Sequence, residues 1–119
     1  MKSFSQLLNS KPVEIKSQPL NTELVYITEN NSQVGSLLLV YTEGGASIYS
    51  VEVLPTHRGK GYGKSLVESA IQKCQQNGCQ FIELNTETDN TVANNLYNSL
   101  GFELLGIKDT FNNYRKYLK

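Results

Sequence analysis

Residues 57–64 read His-Arg-Gly-Lys-Gly-Tyr-Gly-Lys, a spacing suited to holding an anion. Glycine lets another group approach the backbone without a Cβ in the way. A helix that opens after such a loop presents its unpaired first N–H groups, and the positive end of its dipole, to whatever lies there. Arg58 and Lys60 add positive charge, and His57 adds it when protonated. One glycine is enough for a turn that starts a helix. Three at alternate positions, Gly59, Gly61 and Gly63, point instead to a group that the backbone must meet at hydrogen-bond distance. For Arg58 taken alone, plain surface solvation is the competing reading.

Three kinds of anion loop compete. The dinucleotide fingerprint needs a glycine where Lys64 stands. A phosphate loop of the nucleotide hydrolases needs four residues before its Gly-Lys-Ser, and only three separate Gly59 from Gly63. No strand ends in the aspartate that such enzymes place on magnesium. The third pattern is Arg-x-x-Gly-x-Gly, filled by Arg58, Gly61 and Gly63, behind a strand ending Val-x-Val-x-Pro and ahead of a helix.

The elements around the loop follow from periodicity. Segments 24–28, 33–42 and 47–54 are rich in β-branched and aromatic residues and are separated by the turn signals Glu-Asn-Asn-Ser and Glu-Gly-Gly, which predicts an antiparallel meander. An earlier strand around residues 13–15 and a short helix at 4–9 are further expectations. From Gly61 to Gln76 the apolar residues Leu66, Val67, Ala70, Ile71 and Cys74 recur at helical spacing, and Gly78 stands where a capping glycine belongs. Residues 80–86 form a strand. Residues 89–102 form a second amphipathic helix, with Val92, Ala93, Leu96, Tyr97 and Leu100 on one side. Two strands, expected as a hairpin, close the chain. Strand 47–54, helix and strand 80–86 make a βαβ unit, so those strands are parallel. The fold class is α+β (mixed α/β), with one sheet and helices against it. Strict alternation puts Tyr49, Val51 and Val53 on one face of the third strand and Ser50 and Glu52 on the other. In strand 80–86, Ile82, Leu84 and Thr86 oppose Phe81, Glu83 and Asn85.

The bulk numbers set limits. A chain of 119 residues carries one domain. Eleven basic residues balance eleven acidic ones, so no net field draws the protein to nucleic acid or to a membrane surface. No apolar run reaches the roughly 20 residues that span a bilayer, and the polar start is unlike a secretory signal. Cys74 and Cys79 are five apart, a spacing that matches neither a redox pair nor a zinc site. With a single histidine, no metal centre is expected. Reduced thiols and a cytoplasmic location are the expectation.

Two segments together carry a family resemblance. Residues 51–67, Val-Glu-Val-Leu-Pro-Thr-His-Arg-Gly-Lys-Gly-Tyr-Gly-Lys-Ser-Leu-Val, resemble the pyrophosphate-binding segment of the GNAT superfamily of acyl-CoA-dependent N-acetyltransferases. Asn90, Ala93, Leu96, Tyr97, Leu100, Gly101 and Phe102 resemble its second signature. The likeness runs over residues 46–102 and continues to the chain end, with residues 1–22 as a shortened N-terminal element.

The resemblance implies an acetyl-CoA cosubstrate and no metal. The diphosphate is then gripped by backbone N–H groups from Arg58 through Gly59, Lys60, Gly61, Tyr62 and Gly63 to Lys64. The strands matching 47–54 and 80–86 splay apart, and the pantetheine arm pairs in the gap along Val51 and Val53. An amine attacks the thioester directly, with a backbone N–H near Val53 stabilising the charge that builds on its oxygen. Tyr97 protonates the leaving thiolate; packing as one more apolar helix residue is its alternative. Asn90 bonds the pantetheine or orders the splayed strand, with helix capping as the alternative. Some family members carry a basic glutamate where this chain has Asn85. Glu83 and Glu52, on the polar strand faces, are the fallback bases, with a water relay or mere solvation as alternatives. The short N-terminal part leaves the acceptor side open or completed by a second copy in a homodimer. A non-catalytic acyl-CoA-binding or sensor module of the same fold is the rival reading.

Overall fold

The computed structural model describes residues 21–118. The helix expected at 4–9 and the strand around 13–15 lie outside the described residues, as does most of the N-terminal element 1–22. Strand β1 is Asn21–Glu29, β2 Ser32–Thr42 and β3 Gly45–Val53. A 3-10 turn, Pro55–His57, leads to the glycine loop and helix α1, Tyr62–Gln76. Then come β4, Phe81–Glu87, helix α2, Thr91–Ser99, and the strands β5, Glu103–Lys108, and β6, Phe111–Tyr117.

The β1–β2 connection is a two-residue turn in which Asn30 and Asn31 have φ of 52° and 66°. Asparagine tolerates this left-handed region, and the resulting twist matches the twist of the flanking strands. One sheet of six strands has the order β1-β2-β3-β4-β6-β5. Its β3–β4 pair is parallel, as the βαβ reading requires, and its other pairs are antiparallel. Helix α1 packs across β1, β2, β3 and β4. Its residues Leu66, Val67, Ala70 and Cys74 are buried against Val25, Leu37, Leu39, Ile48, Ile82 and Leu84, and Ile71 packs at the margin. This is the face that helical spacing had marked.

Two patterns depart from the sequence reading. In β3 the strict alternation fails. The β2–β3 register runs Leu38↔Tyr49 and then Ser36↔Glu52, so Leu37 faces two residues, Ser50 and Val51. Ser50 has φ of 55°. This is a β-bulge, and its extra residue shifts the phase of every side chain beyond it. Before it, Ala46 and Ile48 are buried; Tyr49 is 53% exposed; after it, Val51 and Val53 pack on the core. Tyr49 therefore does not share a face with Val51 and Val53, and Glu52 lies on the outer face with Tyr49. In α2 the helix is shorter than residues 89–102 at both ends, and Val92, 82% exposed, leaves the apolar side that holds Ala93, Leu96, Tyr97 and Leu100. Val92 sits in the first turn beside the cap, turned away from the sheet.

The β3–β4 ladder is short. Gly45, Ala46 and Ser47 pair with Phe81, Ile82 and Glu83, and the pairing ends there. Beyond it β4 stays paired to β6 as far as Glu87↔Phe111, while β3 stays paired to β2. The parallel strands therefore part, and the bulge lies just after the point of parting. A β-branched residue at the positive φ of Ser50 would be strained. Ser50→Val should lower unfolding free energy by about 1 kcal/mol or more, measured by urea denaturation, whereas Ser50→Gly should leave it unchanged.

Candidate active site

The glycine loop lies between the end of β3 and the first turn of α1. Gly59 and Gly61 have φ of 79° and 82°, a region that other residues enter only with strain. A Cβ built on either would meet no heavy atom within 4 Å, so the space over the loop is open. Gly61 is the N-cap of α1 and supplies no side-chain cap. The first N–H groups of the helix thus lack the partner that a serine or aspartate would provide. Open space above uncapped donors, ringed by cations, suits a diphosphate.

The loop side chains are held from outside. Arg58 turns back, its Nε donating to the Val53 carbonyl at 3.0 Å. Glu29, at the tip of the β1–β2 hairpin, accepts a hydrogen bond from the Tyr62 hydroxyl and lies 3.7 Å from both Lys60 Nζ and His57 Nε2. The Tyr62 bond, with help from Lys60 and His57, holds the Glu29 carboxyl below the usual carboxylate range. The same bond pushes the Tyr62 phenol up. Glu29 was not visible as a site residue in the sequence, because 33 positions separate it from Tyr62. Lys64 is exposed on the first turn of α1.

Helix α2 adjoins this loop. A Cβ on Gly63 would lie 3.9 Å from Leu96 Cδ2, so the start of α1 rests on the residue before Tyr97. Asn90 caps α2, its Oδ1 accepting from Ala93 N at 3.1 Å. Tyr97 is buried. Its ring meets Phe102 edge-on at 5.9 Å and Tyr114 at 6.0 Å. Burial pushes its phenol above the ordinary tyrosine value, which keeps it protonated at neutral pH and suited to giving a proton rather than taking one. Its hydroxyl has no hydrogen-bond partner among the described residues.

Where β3 and β4 part, a cleft of about 110 Å³ is lined by Ser47, Ile48, Tyr49, Glu83, Asn85 and Tyr114, among others. The two candidate bases differ in their surroundings. Glu83 accepts from Arg115 Nε at 2.7 Å and also from Nη2, and the guanidinium stacks on the Phe81 ring at 4.3 Å. Glu52 is exposed on the outer face and has no ion pair among the described residues. Cys74 is wholly buried, and burial first, then neighbouring Cys79, pushes its thiol up to about 12; it is no thiolate nucleophile. Among the described residues no cluster of His, Cys, Asp and Glu is arranged to hold a metal ion, and no helix is long and apolar enough to cross a membrane.

A sequence profile described as the acetyltransferase (GNAT) family matches residues 3–102. The chain belongs to this family. Among named relatives, the [ribosomal protein bS18]-alanine N-acetyltransferase of Haemophilus influenzae is 29% identical over 109 residues, covering 92% of this chain and 69% of that protein. N-alpha-acetyltransferase 30 of Saccharomyces cerevisiae is 51% identical over 47 residues, which span 40% of this chain and only 27% of the yeast protein. The solved PaiA N-acetyltransferase of Thermoplasma acidophilum, in complex with coenzyme A, superposes with a TM-score of 0.77 at 18% identity, over 82% of this chain and 61% of that one. The six-stranded mixed sheet with its two helices matches the fold of this solved neighbour.

Glu29 neutralises cations that an anion in the loop would otherwise draw upon. Glu29→Gln keeps an acceptor for Tyr62 but removes the charge. At low ionic strength it should bind inorganic pyrophosphate about threefold more tightly than the unsubstituted chain, and at about 1 M salt the difference should vanish, because screening removes exposed charge effects. Isothermal calorimetry at the two ionic strengths reads this directly.

Proposed function

We propose that this chain transfers an acetyl group from acetyl-CoA to a primary amine within a ternary complex, without a covalent enzyme intermediate. The observation that carries the reading is the join of three features: an open, uncapped glycine loop, a parallel strand pair that parts beside it, and a buried protonated tyrosine on the adjoining helix.

The backbone from Arg58 to Lys64 would hold the diphosphate, with Lys60 as the nearest free-swinging cation once Glu29 yields it. The facing edges of β3 and β4 beyond Ser47 and Glu83 lack a strand partner, and an amide-bearing arm would satisfy them as a third strand does. Val51 and Val53 lie along that edge. The amine nitrogen attacks the thioester carbonyl carbon, the C–S bond breaks, and the sulfur takes a proton from Tyr97. Tyr97 regains it from solvent. The proton lost by the amine goes to a carboxylate or to water. Glu52 is the better of the two candidates, because Arg115 already engages Oε1 of Glu83 through two donors. A backbone N–H near Val53 is the proposed donor to the oxyanion, a role worth about 3 kcal/mol in comparable sites. Asn90 Nδ2 is the proposed contact to the arm, its Oδ1 being committed to the helix cap.

The bacterial and yeast sequence relatives named above are, by name, N-acetyltransferases, one of an alanine and one of an alpha nitrogen. A short peptide with a free N-terminal alanine is therefore the first acceptor to test.

Two substitutions separate binding from chemistry. Gly61→Val fills the open space and strains a positive φ, so the dissociation constant for coenzyme A should rise by more than about tenfold in calorimetry. Tyr97→Phe should lower kcat by about a hundredfold with coenzyme A affinity nearly unchanged, and the alkaline limb of the kcat profile, set by loss of the tyrosine proton above its ordinary value, should disappear. An unaltered kcat removes the proton-donor role. Tight binding of acetyl-CoA with no thiol release across an amine panel favours the non-catalytic module instead.

A further inference from the structure

Asn94 is the most connected side chain in the described structure, and neither family signature includes it. It lies on α2 three residues before Tyr97, at the junction of three elements. Its Nδ2 donates to the Asn90 carbonyl at 2.8 Å and the Glu87 carbonyl at 3.0 Å, with the Thr88 carbonyl at 3.4 Å. Its Oδ1 accepts from the Tyr114 hydroxyl at 2.6 Å and from Asn112 Nδ2 at 2.8 Å. A carboxamide offers two N–H donors and two acceptor lone pairs, and here all four are used. The network also sets which way the amide points. Exchanging its ends would turn the oxygen toward three carbonyls and the NH2 toward the donor Nδ2 of Asn112.

The consequence reaches Tyr97 by a short path. Asn94 ties the end of β4 and the capping residue Asn90 to β6. Tyr114 of β6 is held at its hydroxyl by Asn94, and its ring meets the Tyr97 ring at 6.0 Å. Tyr114 also lines the cleft where β3 and β4 part. The Tyr97 hydroxyl has no hydrogen-bond partner among the described residues, so the ring's neighbours and its helix are what hold it. We propose that Asn94 is a positioning residue that, through Tyr114 and the start of α2, sets where the Tyr97 hydroxyl stands beside the parted strands. This rests on the assignment of Tyr97 as proton donor.

Asn94 is unusual in that no near neighbour in size replaces it. Aspartate would set a carboxylate oxygen against the carbonyls of Glu87, Thr88 and Asn90. Leucine would leave the Tyr114 hydroxyl, Asn112 Nδ2 and those carbonyls without a partner. Asn112 Oδ1 is already buried without one, so little slack is left in this corner.

The test uses the full chain, isotope-labelled at the tyrosine ζ carbon, with the Tyr97 resonance assigned by its loss in Tyr97→Phe. Asn94→Asp and Tyr114→Phe should each move that resonance; an unmoved signal in both overturns the proposal. In turnover, Asn94→Asp should lower kcat by about tenfold with coenzyme A affinity held within about threefold. In the Tyr97→Phe background the same change should lower kcat by less than about twofold, because a residue acting through Tyr97 has nothing left to act on. A full tenfold further loss in that background assigns Asn94 a general structural role and overturns the proposal. Where Asn94→Asp does not fold, Tyr114→Phe, which keeps the ring contact, carries the same cycle with an expected loss of about threefold. Should the unsubstituted protein turn over no amine at all, the acetyl-transfer reading fails, and the resonance alone then judges whether Asn94 places Tyr97.

Discussion

Beyond Ser47 and Glu83 the backbone N–H and C=O groups on the facing edges of β3 and β4 have no strand to pair with. Buried or half-buried backbone polar groups are costly unless satisfied, so a sheet normally closes such a gap. Here it is kept open from both sides. The bulge at Ser50 rotates the far half of β3, and β4 is held away by its complete ladder to β6. The cleft opens at this interruption, Tyr114 on its wall packs against the Tyr97 ring, and the glycine loop follows the far end of β3.

The interruption is affordable because the rest of the sheet is well anchored. Helix α1 spans four strands on one face and drives Leu66, Val67, Ala70 and Cys74 into the core. Its first turn therefore cannot drift, and its uncapped donors keep their aim at the loop. On the far side, Arg115 ties β6 to β4 through Glu83 and stacks on Phe81. That ion pair braces the β4 side of the gap, which gives Glu83 a mechanical job whatever its chemistry.

Charge is distributed around the loop with restraint. Lys60 and the His57 imidazole are faced by one carboxylate at the hairpin tip, and Arg58 is bent back onto a carbonyl. The positive field available to an anion thus comes first from backbone dipoles, which stay fixed, and only then from side chains that must exchange partners. A ligand held there would be chosen for many close backbone contacts more than for charge alone.

The one-dimensional pattern was sufficient for the strands and helices of the described residues, the parallel pairing through the βαβ unit, the glycine loop ahead of α1 and the family resemblance. Each depends on local spacing: glycines at alternate positions, apolar residues at helical period, a proline after a strand. It failed in β3, where a single added residue at Ser50 took Tyr49 off the face of Val51 and Val53 and put it on that of Glu52, because alternation carries no record of a bulge. It was also silent on Glu29, Asn94 and Arg115. These act through contacts with Tyr62, Tyr114 and Glu83, which lie 20 to 33 positions away in the chain. Composition and spacing decide what a segment can become; which distant segment it meets, and hence which charge is neutralised or which ring is held, is decided only when the sheet brings the strands side by side.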